Sequence, residues 1–190
     1  MLPSIDFPKK FPVIQTERLD LTSLSFLDAE NFYQLRSNVE FIKYLGIYPL
    51  KSISDAEEHI EKLLYNYQLK NGLSWKISLK SSRNLIGYVG YWTIDYQHFN
   101  AEIGFGLHPQ YQGKGIMSEA IKAIVNFGFE KLGLHSIKAN VDQYNKASIQ
   151  LLINNNFRKE AHFRENYFFD GEFIDSLFYC IIKSDWKKAE

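Results

Sequence analysis

The chain has 190 residues, of which 45% are hydrophobic and 23% are charged, a composition typical of one globular domain. Lys plus Arg and Asp plus Glu both number 22, so the formal net charge is zero. The sequence lacks the basic field and the runs of Lys or Arg that attract a phosphate backbone, so we expect no nucleic-acid partner.

The cysteine content and the apolar pattern exclude further classes of protein. Cys180 is the only cysteine, so no disulfide can form within the chain, and its apolar neighbours predict a packed thiol in a strand. No basic segment followed by apolar residues opens the sequence, and no apolar stretch is long enough to span a bilayer. We therefore expect a cytoplasmic protein without a membrane partner, and a homodimer is compatible with the sequence.

The first part of the chain predicts an arm, a strand and helices. Several prolines predict an extended arm over residues 1–15, and alternating apolar residues predict a strand over 18–24. Ser54 and Glu57 have the spacing of a capping box, which predicts the start of an amphipathic helix that stops at Gly72.

The rest of the chain alternates between strands and helices. The predicted elements are strands over 73–79, 85–94 and 101–107, a helix up to 131, a strand over 136–141, a helix over 146–154 and a hairpin over 157–183. The hairpin is expected to turn at Asp170 and Gly171. This order predicts an α+β, or mixed α/β, fold in a single domain of residues 1–190, with helices packed on one sheet.

A glycine loop between a strand and a helix, at residues 110–115, is the clearest sign of a ligand site. Gly113 and Gly115 would let the backbone approach a pyrophosphate, and amides at the helix N-terminus favour an anion. Lys114 would add positive charge. A Walker P-loop is excluded because no Ser or Thr follows Lys114, and a dinucleotide fingerprint is excluded because its third glycine would fall at Pro109.

Several segments together resemble the Gcn5-related N-acetyltransferase (GNAT) superfamily. The sequence Gln-Tyr-Gln-Gly-Lys-Gly at 110–115 matches the Gln/Arg-x-x-Gly-x-Gly/Ala signature of that superfamily. Residues 16–19, 101–107, 118–120 and 145–148 make the chain similar to the RimJ/RimL-like branch, which contains the ribosomal-protein N-terminal acetyltransferases. The resemblance covers residues 14–183.

The resemblance implies a fold and a cofactor. The fold is a mixed, mostly antiparallel sheet of about seven strands flanked by helices, in which parallel strands four and five, at 101–107 and 136–141, splay apart. The cofactor is acetyl-coenzyme A, with its pantetheine arm between these strands and its pyrophosphate on the loop amides. The implied cofactor-binding residues are Phe105, Gly106, Leu107, Gln110, Gly113, Lys114, Gly115, Ile116, Met117 and Asn145.

The resemblance also implies direct attack of an amine on the thioester, with Glu102 as general base. A solvated or ion-paired strand residue is the alternative for Glu102. Asn145 and Ser148 form an Asn-x-x-Ser pair in which Asn145 either contacts the cofactor or caps a helix, and Ser148 donates to the leaving thiolate. Leu152 stands where many relatives have a tyrosine that acts as general acid, which leaves Tyr144 as a distant substitute.

The acceptor stays open at this stage. The branch favours the N-terminal α-amine of a ribosomal or other protein, and a polyamine, an amino acid or an antibiotic is the second hypothesis. A regulator that binds acyl-coenzyme A without catalysis is a third, because the tyrosine is missing. The five histidines include no pair at metal-ligand spacing with a third ligand nearby, so we expect no metal.

Overall fold

The computed structural model describes residues 4–187, where eight strands form one sheet and six α-helices pack around it. The strands are β1 (Ile14–Gln15), β2 (Leu19–Ser23), β3 (Leu73–Leu79), β4 (Gly87–Asp95), β5 (Asn100–Leu107), β6 (Ser136–Asp142), β7 (Arg158–Phe169) and β8 (Glu172–Ile182). The helices are α1 (Ala29–Arg36), α2 (Val39–Ile42), α3 (Ile53–Gln68), α4 (Ile116–Phe127), α5 (Lys146–Asn154) and α6 (Lys183–Lys187), and a π-helical turn, Gly128–Leu132, extends α4.

The sheet order is β1-β2-β3-β4-β5-β6-β8-β7, and every neighbouring pair is antiparallel except β5 and β6. The prediction of a mixed, mostly antiparallel sheet with one parallel pair is confirmed. The strand count differs because Ile14 and Gln15, expected in the arm, pair with Leu21 and Asp20. The parallel strands are therefore the fifth and sixth. The first three residues of the predicted arm lie outside the described residues.

Two apolar clusters cover the two faces of the sheet. One contains Trp75 and Tyr91 from the sheet and Ile121 and Ile124 from α4. The other contains Tyr88 from β4 together with buried residues of α1, α2 and α3, among them Phe32, Phe41 and Ile60. Because side chains alternate along a strand, Tyr88 and Tyr91 fall on opposite faces and belong to different clusters. The helical layer of α1 and α3 thus lies on the face of the sheet opposite α4.

Local signals at helix and hairpin ends are partly as predicted. The capping box of α3 is formed by Ser52 and Asp55 rather than Ser54 and Glu57. Ser52 has the extended backbone (φ −150°, ψ 164°) of an N-cap, and its Oγ accepts from the amide of Asp55 at 3.1 Å. The β7–β8 hairpin turns at Asp170 and Gly171, as predicted, and both have positive φ, the geometry of a two-residue hairpin turn.

None of the helices in residues 4–187 combines the length and apolar character that crossing a membrane needs.

Candidate active site

A cleft opens where the parallel strands separate. β5 and β6 pair only at Asn100–Ser136, Ala101–Ile137 and Glu102–Lys138. Beyond Glu102, β5 stays paired to β4 as far as Leu107, and β6 stays paired to β8 as far as Asp142. The inner edges of the two strands therefore diverge, and backbone groups on these edges have no partner across the gap. This is the splay that the resemblance implied for these strands.

Two glycines of β5 shape the floor of the cleft on the α1/α3 side. A Cβ on Gly104 would overlap the indole of Trp92, and a Cβ on Gly106 would overlap the ring of Phe41. Neither glycine has positive φ, so the requirement is space rather than backbone conformation. The missing side chains let two aromatic rings lie against the strand. Of the aromatic residues of β4, Tyr88 and Trp92 line the cleft, whereas Tyr91 lies in the core on the other face of the sheet.

The cleft leads into a cavity of about 370 Å³ between the sheet and α1 and α3. This volume lies in the range of small-molecule sites. Its wall is mixed in chemistry, with a guanidinium, an imidazole, two carboxylates, amides and aromatic rings. The lining residues with polar or aromatic side chains are Arg36, Tyr44, His59, Tyr88, Trp92, Glu102, Phe105, Asn140, Asp142, Asn145 and Ser148.

The three predicted catalytic residues line this one cavity. Glu102 is on β5 at the last paired position before the splay. Asn145 is the N-cap of α5, and its Oδ1 accepts from the amide of Ser148 at 3.0 Å. Ser148, in the first turn of α5, also lines the cavity. The fold therefore brings a carboxylate and a hydroxyl from two elements to one space.

Neither Leu152, which stands in the position of the missing tyrosine, nor Tyr144, its possible substitute, lines this cavity. Leu152 is fully buried in the core that includes α4, so an apolar side chain fills its position. The side chain of Tyr144 is 66% exposed and is not part of the cavity lining. We therefore assign neither residue a part in proton transfer.

The glycine loop has the geometry of an anion site. Gly113 and Gly115 have φ of +73° and +74°, a left-handed conformation that favours glycine, and a Cβ on Gly113 would meet open space. Gly115 is the N-cap of α4, and no side chain of the part of the chain that the structure describes caps that helix. The first-turn amides, including those of Ile116 and Met117, are thus left for another acceptor. The backbone conformation and the uncapped helix fit the pyrophosphate of coenzyme A.

The remaining predicted cofactor residues lie in this loop or at the end of the strand that precedes it. Phe105 lines the cavity, Leu107 is buried, and Gly106 lies between them against Phe41. Gln110 and Lys114 are exposed, and Lys114 Nζ lies 5.7 Å from the centre of the Tyr111 ring. These residues extend from the cavity along the C-terminal end of β5 to α4, the path expected for a long cofactor.

Residues 16–19 and 118–120, two of the segments that resemble the RimJ/RimL-like branch, meet beside the loop. Arg18 Nε contacts Glu119 Oε2 at 2.6 Å, and Thr16 Oγ1 donates to Glu119 Oε1 at 2.5 Å. Arg18 Nη1 also donates to the Lys114 carbonyl at 2.9 Å. Burial raises the pKa of Glu119, but the hydrogen bonds from Thr16 and Arg18 and the charge of Arg18 outweigh it, so its net pKa is lowered. We call Thr16, Arg18 and Glu119 the loop clamp.

Sequence reasoning missed the α1/α3 wall of the cavity. Arg36 ends α1 and His59 lies in α3, and neither position carried a motif. Burial, followed by the positive charges of Arg36 and Lys62, lowers the pKa of His59 to about 4, so the ring is neutral at pH 7. Only the three-dimensional fold brings these residues together, and no sequence signal pointed to them.

Metal and thiol chemistry find no support at this site. Within residues 4–187, no group of three or more His, Cys, Asp and Glu side chains could hold a metal ion. Cys180 is half-buried on β8, and burial, followed by the charge of Glu160, raises the pKa of its thiol to about 11. The thiol is therefore protonated at neutral pH.

Comparisons with known proteins agree with this geometry. The acetyltransferase (GNAT) domain family matches residues 18–158. An uncharacterized N-acetyltransferase, YoaA, of Bacillus subtilis (strain 168) is 35% identical over 91% of this chain and 98% of its own length. The spermidine N(1)-acetyltransferase of Vibrio cholerae is 28% identical over 89% of this chain and 95% of its own length.

Solved structures with the same architecture include two acetyltransferases. The microcin C7 self-immunity acetyltransferase MccE, in complex with acetyl-CoA and AMP, matches with a TM-score of 0.80 and 25% identity over 88% of this chain and 93% of its own. RimL, the ribosomal L7/L12 α-N-protein acetyltransferase in complex with coenzyme A, matches with a TM-score of 0.81 over 90% and 98% of the two chains. At 19% identity, the RimL match concerns the fold alone. The chain belongs to the GNAT acetyltransferase family, and it is an N-acetyltransferase.

Proposed function

We propose that this enzyme transfers acetyl directly to a primary amine that enters the cavity between the sheet and the α1/α3 layer. The observation that carries the proposal is the limited pairing of β5 and β6, which ends at Glu102 and opens beside Ser148. An acetyl group held between the strands would meet an amine arriving from the cavity. Direct transfer within a ternary complex needs no protein nucleophile, and the protonated thiol of Cys180 is consistent with this.

The loop amides and the open strand edges are proposed to hold the cofactor. The amides of Gly113, Gly115, Ile116 and Met117 would receive the pyrophosphate at the N-terminus of α4, with Gln110 and Lys114 beside them. The inner edge of β5 at residues 105–107 would bind the pantetheine arm through backbone groups that lack a partner in β6. When bound, acetyl-coenzyme A supplies the acetyl group as a thioester.

Three tasks are then assigned to the chain's own residues. Glu102 accepts a proton from the incoming ammonium, directly or through water, since an amine attacks only when it is neutral. Backbone amides on the inner edge of β5 stabilise the negative charge that develops on the carbonyl oxygen. The Ser148 hydroxyl donates a hydrogen bond to the departing thiolate. Asn145 fixes the first turn of α5 and hence the position of Ser148.

The favoured acceptor is the α-amine of a polypeptide N-terminus or of a small amino compound. A cavity of about 370 Å³ takes the first residues of a peptide as readily as a free amino acid. A polyamine is the second candidate, because a relative acts on spermidine and Glu102 and Asp142 lie in the cavity wall. Against a polyamine stands Arg36, whose positive charge in the same wall repels a second ammonium.

The proposal is tested by measuring acetyl-CoA consumption with peptide N-termini, free amino acids, spermidine and aminoglycosides. We expect turnover with at least one α-amine, and a loss of about 10²- to 10⁴-fold in Glu102→Gln if that carboxylate is the base. Calorimetry should give the same coenzyme A affinity for the wild type and for Glu102→Gln. If coenzyme A binds but no amine is acetylated, the proposed reaction is wrong. If Glu102→Gln is fully active, solvent takes the proton.

A further inference from the structure

Arg36 places a positive charge in the cavity wall without a carboxylate to balance it. Its Nη1 donates to the Tyr88 hydroxyl at 2.9 Å, and its Nε is inaccessible to solvent and has no hydrogen-bond partner among the described residues. Within residues 4–187, no Asp or Glu forms an ion pair with it. Arg36 is partly buried, and a charged group that loses part of its contact with water is usually paired, because desolvation costs free energy.

The neighbours of Arg36 on the α1/α3 wall do not supply the missing negative charge. His59, from α3, is neutral at pH 7. The C-terminus of α1, where Arg36 lies, offers the partial negative charge of the helix dipole, but this effect is smaller than that of a carboxylate. The cavity in front of Arg36 is therefore the space from which a compensating anion would come.

Of the two carboxylates of the cavity, Glu102 lies in a different part of it, and Oδ1 of Asp142 accepts from the backbone amide of Tyr144 at 2.7 Å. Arg36 is bound to Tyr88, which pairs with Gly106 across the β4–β5 ladder, whereas Glu102 lies four residues back along β5. At about 3.3 Å per residue, the two positions are separated by roughly 13 Å of strand. A ligand in the cavity would thus meet negative charge near the splay and positive charge near α1.

We propose that Arg36 binds a carboxylate of the acceptor, so that the enzyme selects amines that carry a negatively charged group on the same molecule. The ammonium would lie toward Glu102 and the carboxylate toward the guanidinium. That carboxylate is either the α-carboxylate of a free amino acid or an acidic side chain at the start of a peptide. This assignment rests on the proposed transfer to an amine, and it predicts that polyamines are poor acceptors.

The test measures binding without turnover, by calorimetry on the coenzyme A-bound protein, with two matched pairs of probes. Alanine against alaninamide isolates an α-carboxylate, and Asp-Ala-amide against Asn-Ala-amide isolates a side-chain carboxylate. We expect the wild-type protein to bind the acid at least about tenfold more tightly than its amide in one pair, about 1.4 kcal/mol. The pair that discriminates identifies the source of the carboxylate.

Three variants assign the preference to Arg36. Arg36→Gln should bind acid and amide alike, whereas Arg36→Lys should keep a reduced preference because it keeps the charge. Lys62→Gln is the matched control, since it removes an exposed cation of α3 that does not line the cavity, and its preference should equal that of the wild type. Equal affinity for both members of both pairs in the wild type, or an unchanged preference in Arg36→Gln, overturns the inference. Acetyl-CoA consumption with the same probes tests the proposed reaction separately.

Discussion

The Asn145 side chain is committed to helix α5. Its Oδ1 accepts from the backbone amide of Ser148 at 3.0 Å. Its backbone amide donates to the Asp142 carbonyl at 3.0 Å, so Asn145 joins the end of β6 to the helix. The capping oxygen is in use, which leaves the side-chain NH₂ as the group available to a ligand. Ser148, in contrast, uses only its backbone amide in this contact, and its hydroxyl is available at the cavity.

Substitution should separate these two residues. Ser148→Ala should slow turnover by about 5- to 30-fold, since one hydrogen bond contributes about 1 kcal/mol and more where water is excluded. Its melting temperature should hardly change, because the capped amide stays in place. Asn145→Ala should lower the melting temperature by about 2–4 °C, the effect of losing a cap worth about 1 kcal/mol in a chain of this size.

Asn145→Asp is the control for the lower melting temperature of Asn145→Ala, because an aspartate side chain caps a helix as well as an asparagine side chain does. Its melting temperature should match that of the wild type, and any remaining loss of turnover then reports on the NH₂ group. Kinetics and thermal melts with and without coenzyme A supply both readouts. A fully active Ser148→Ala would remove the hydroxyl from the proposed chemistry.

At the scale of single residues, sequence reasoning reached the groups that sit on local motifs and missed those that do not. Glu102 and Ser148 belong to segments with recognisable spacing, and both line the cavity. Arg36, His59 and Trp92 come from three separate elements and meet only because α1 and α3 pack over β4. An arginine at the end of a helix is ordinarily solvated, so nothing in the local sequence of Arg36 indicated that it lines the cavity.

At the scale of elements, the loop clamp connects the start of the sheet to the helix that receives the pyrophosphate. Arg18 precedes β2, Glu119 is in the first turn of α4, and Arg18 reaches the carbonyl of Lys114 between the two loop glycines. A carboxylate in the first turn would repel phosphate, but the guanidinium beside it balances the charge. The clamp thereby holds a glycine loop that has little conformational restraint of its own.

Removal of the clamp should weaken cofactor binding. Arg18→Ala frees the Lys114 carbonyl and leaves the Glu119 charge unbalanced near the phosphate site, so we expect the Kd of coenzyme A to rise about tenfold, roughly 1.4 kcal/mol. Adding Glu119→Gln to Arg18→Ala should restore part of the affinity if charge is the cause, and none if loop geometry is the cause. Lys122→Ala, an exposed cation of α4, is the control. Calorimetry that finds wild-type affinity in Arg18→Ala would exclude the clamp from cofactor binding.

The elements themselves were largely predictable, and their exceptions have physical reasons. The strand β3 and the helix α5 have the predicted bounds, because their apolar pattern and packing agree. The short strand β1 carries no periodicity and exists because β2 offers it an edge. The start of α3 was misplaced by two residues because Ser52 and Ser54 each have an acidic residue three positions later, and only Ser52 has the extended backbone of a cap.

At the scale of the whole molecule, the two faces of the sheet have different tasks. The face toward α4 is a continuous apolar core that supports the glycine loop, whereas the α1/α3 face combines a smaller core with the polar cavity. The family signatures lie on the cofactor side, so the sequence indicated the reaction class more directly than the acceptor. The acceptor wall is assembled from residues distant in the chain, and its charge became apparent only in the fold.

The polar cavity ties the stability of this face to pH through His59. Its ring packs against Phe32 at 5.3 Å between centroids, and burial, then Arg36 and Lys62, hold its pKa near 4. In the unfolded chain the pKa of His59 has its ordinary value of about 6.5. Between this pH and about 4, the imidazole therefore binds a proton in the unfolded chain but stays neutral in the folded protein. The contribution of His59 to the free energy of unfolding is therefore fully present above about pH 6.5, and it is lost as the pH falls toward 4.

We expect this linkage to appear as a difference between two proteins. Between pH 7 and pH 4.5, the wild type should lose about 2 kcal/mol more unfolding free energy than His59→Gln, with allowance for the part of the ring that stays solvated. Urea unfolding at several pH values supplies the measurement, and subtracting the variant removes the contribution of the carboxylates that titrate in both proteins. Equal pH dependence in the two would mean that the imidazole is as easily protonated in the folded cavity as in water. In that case the positive charge of Arg36 would be screened by solvent, and its pull on an acceptor carboxylate would be correspondingly weak.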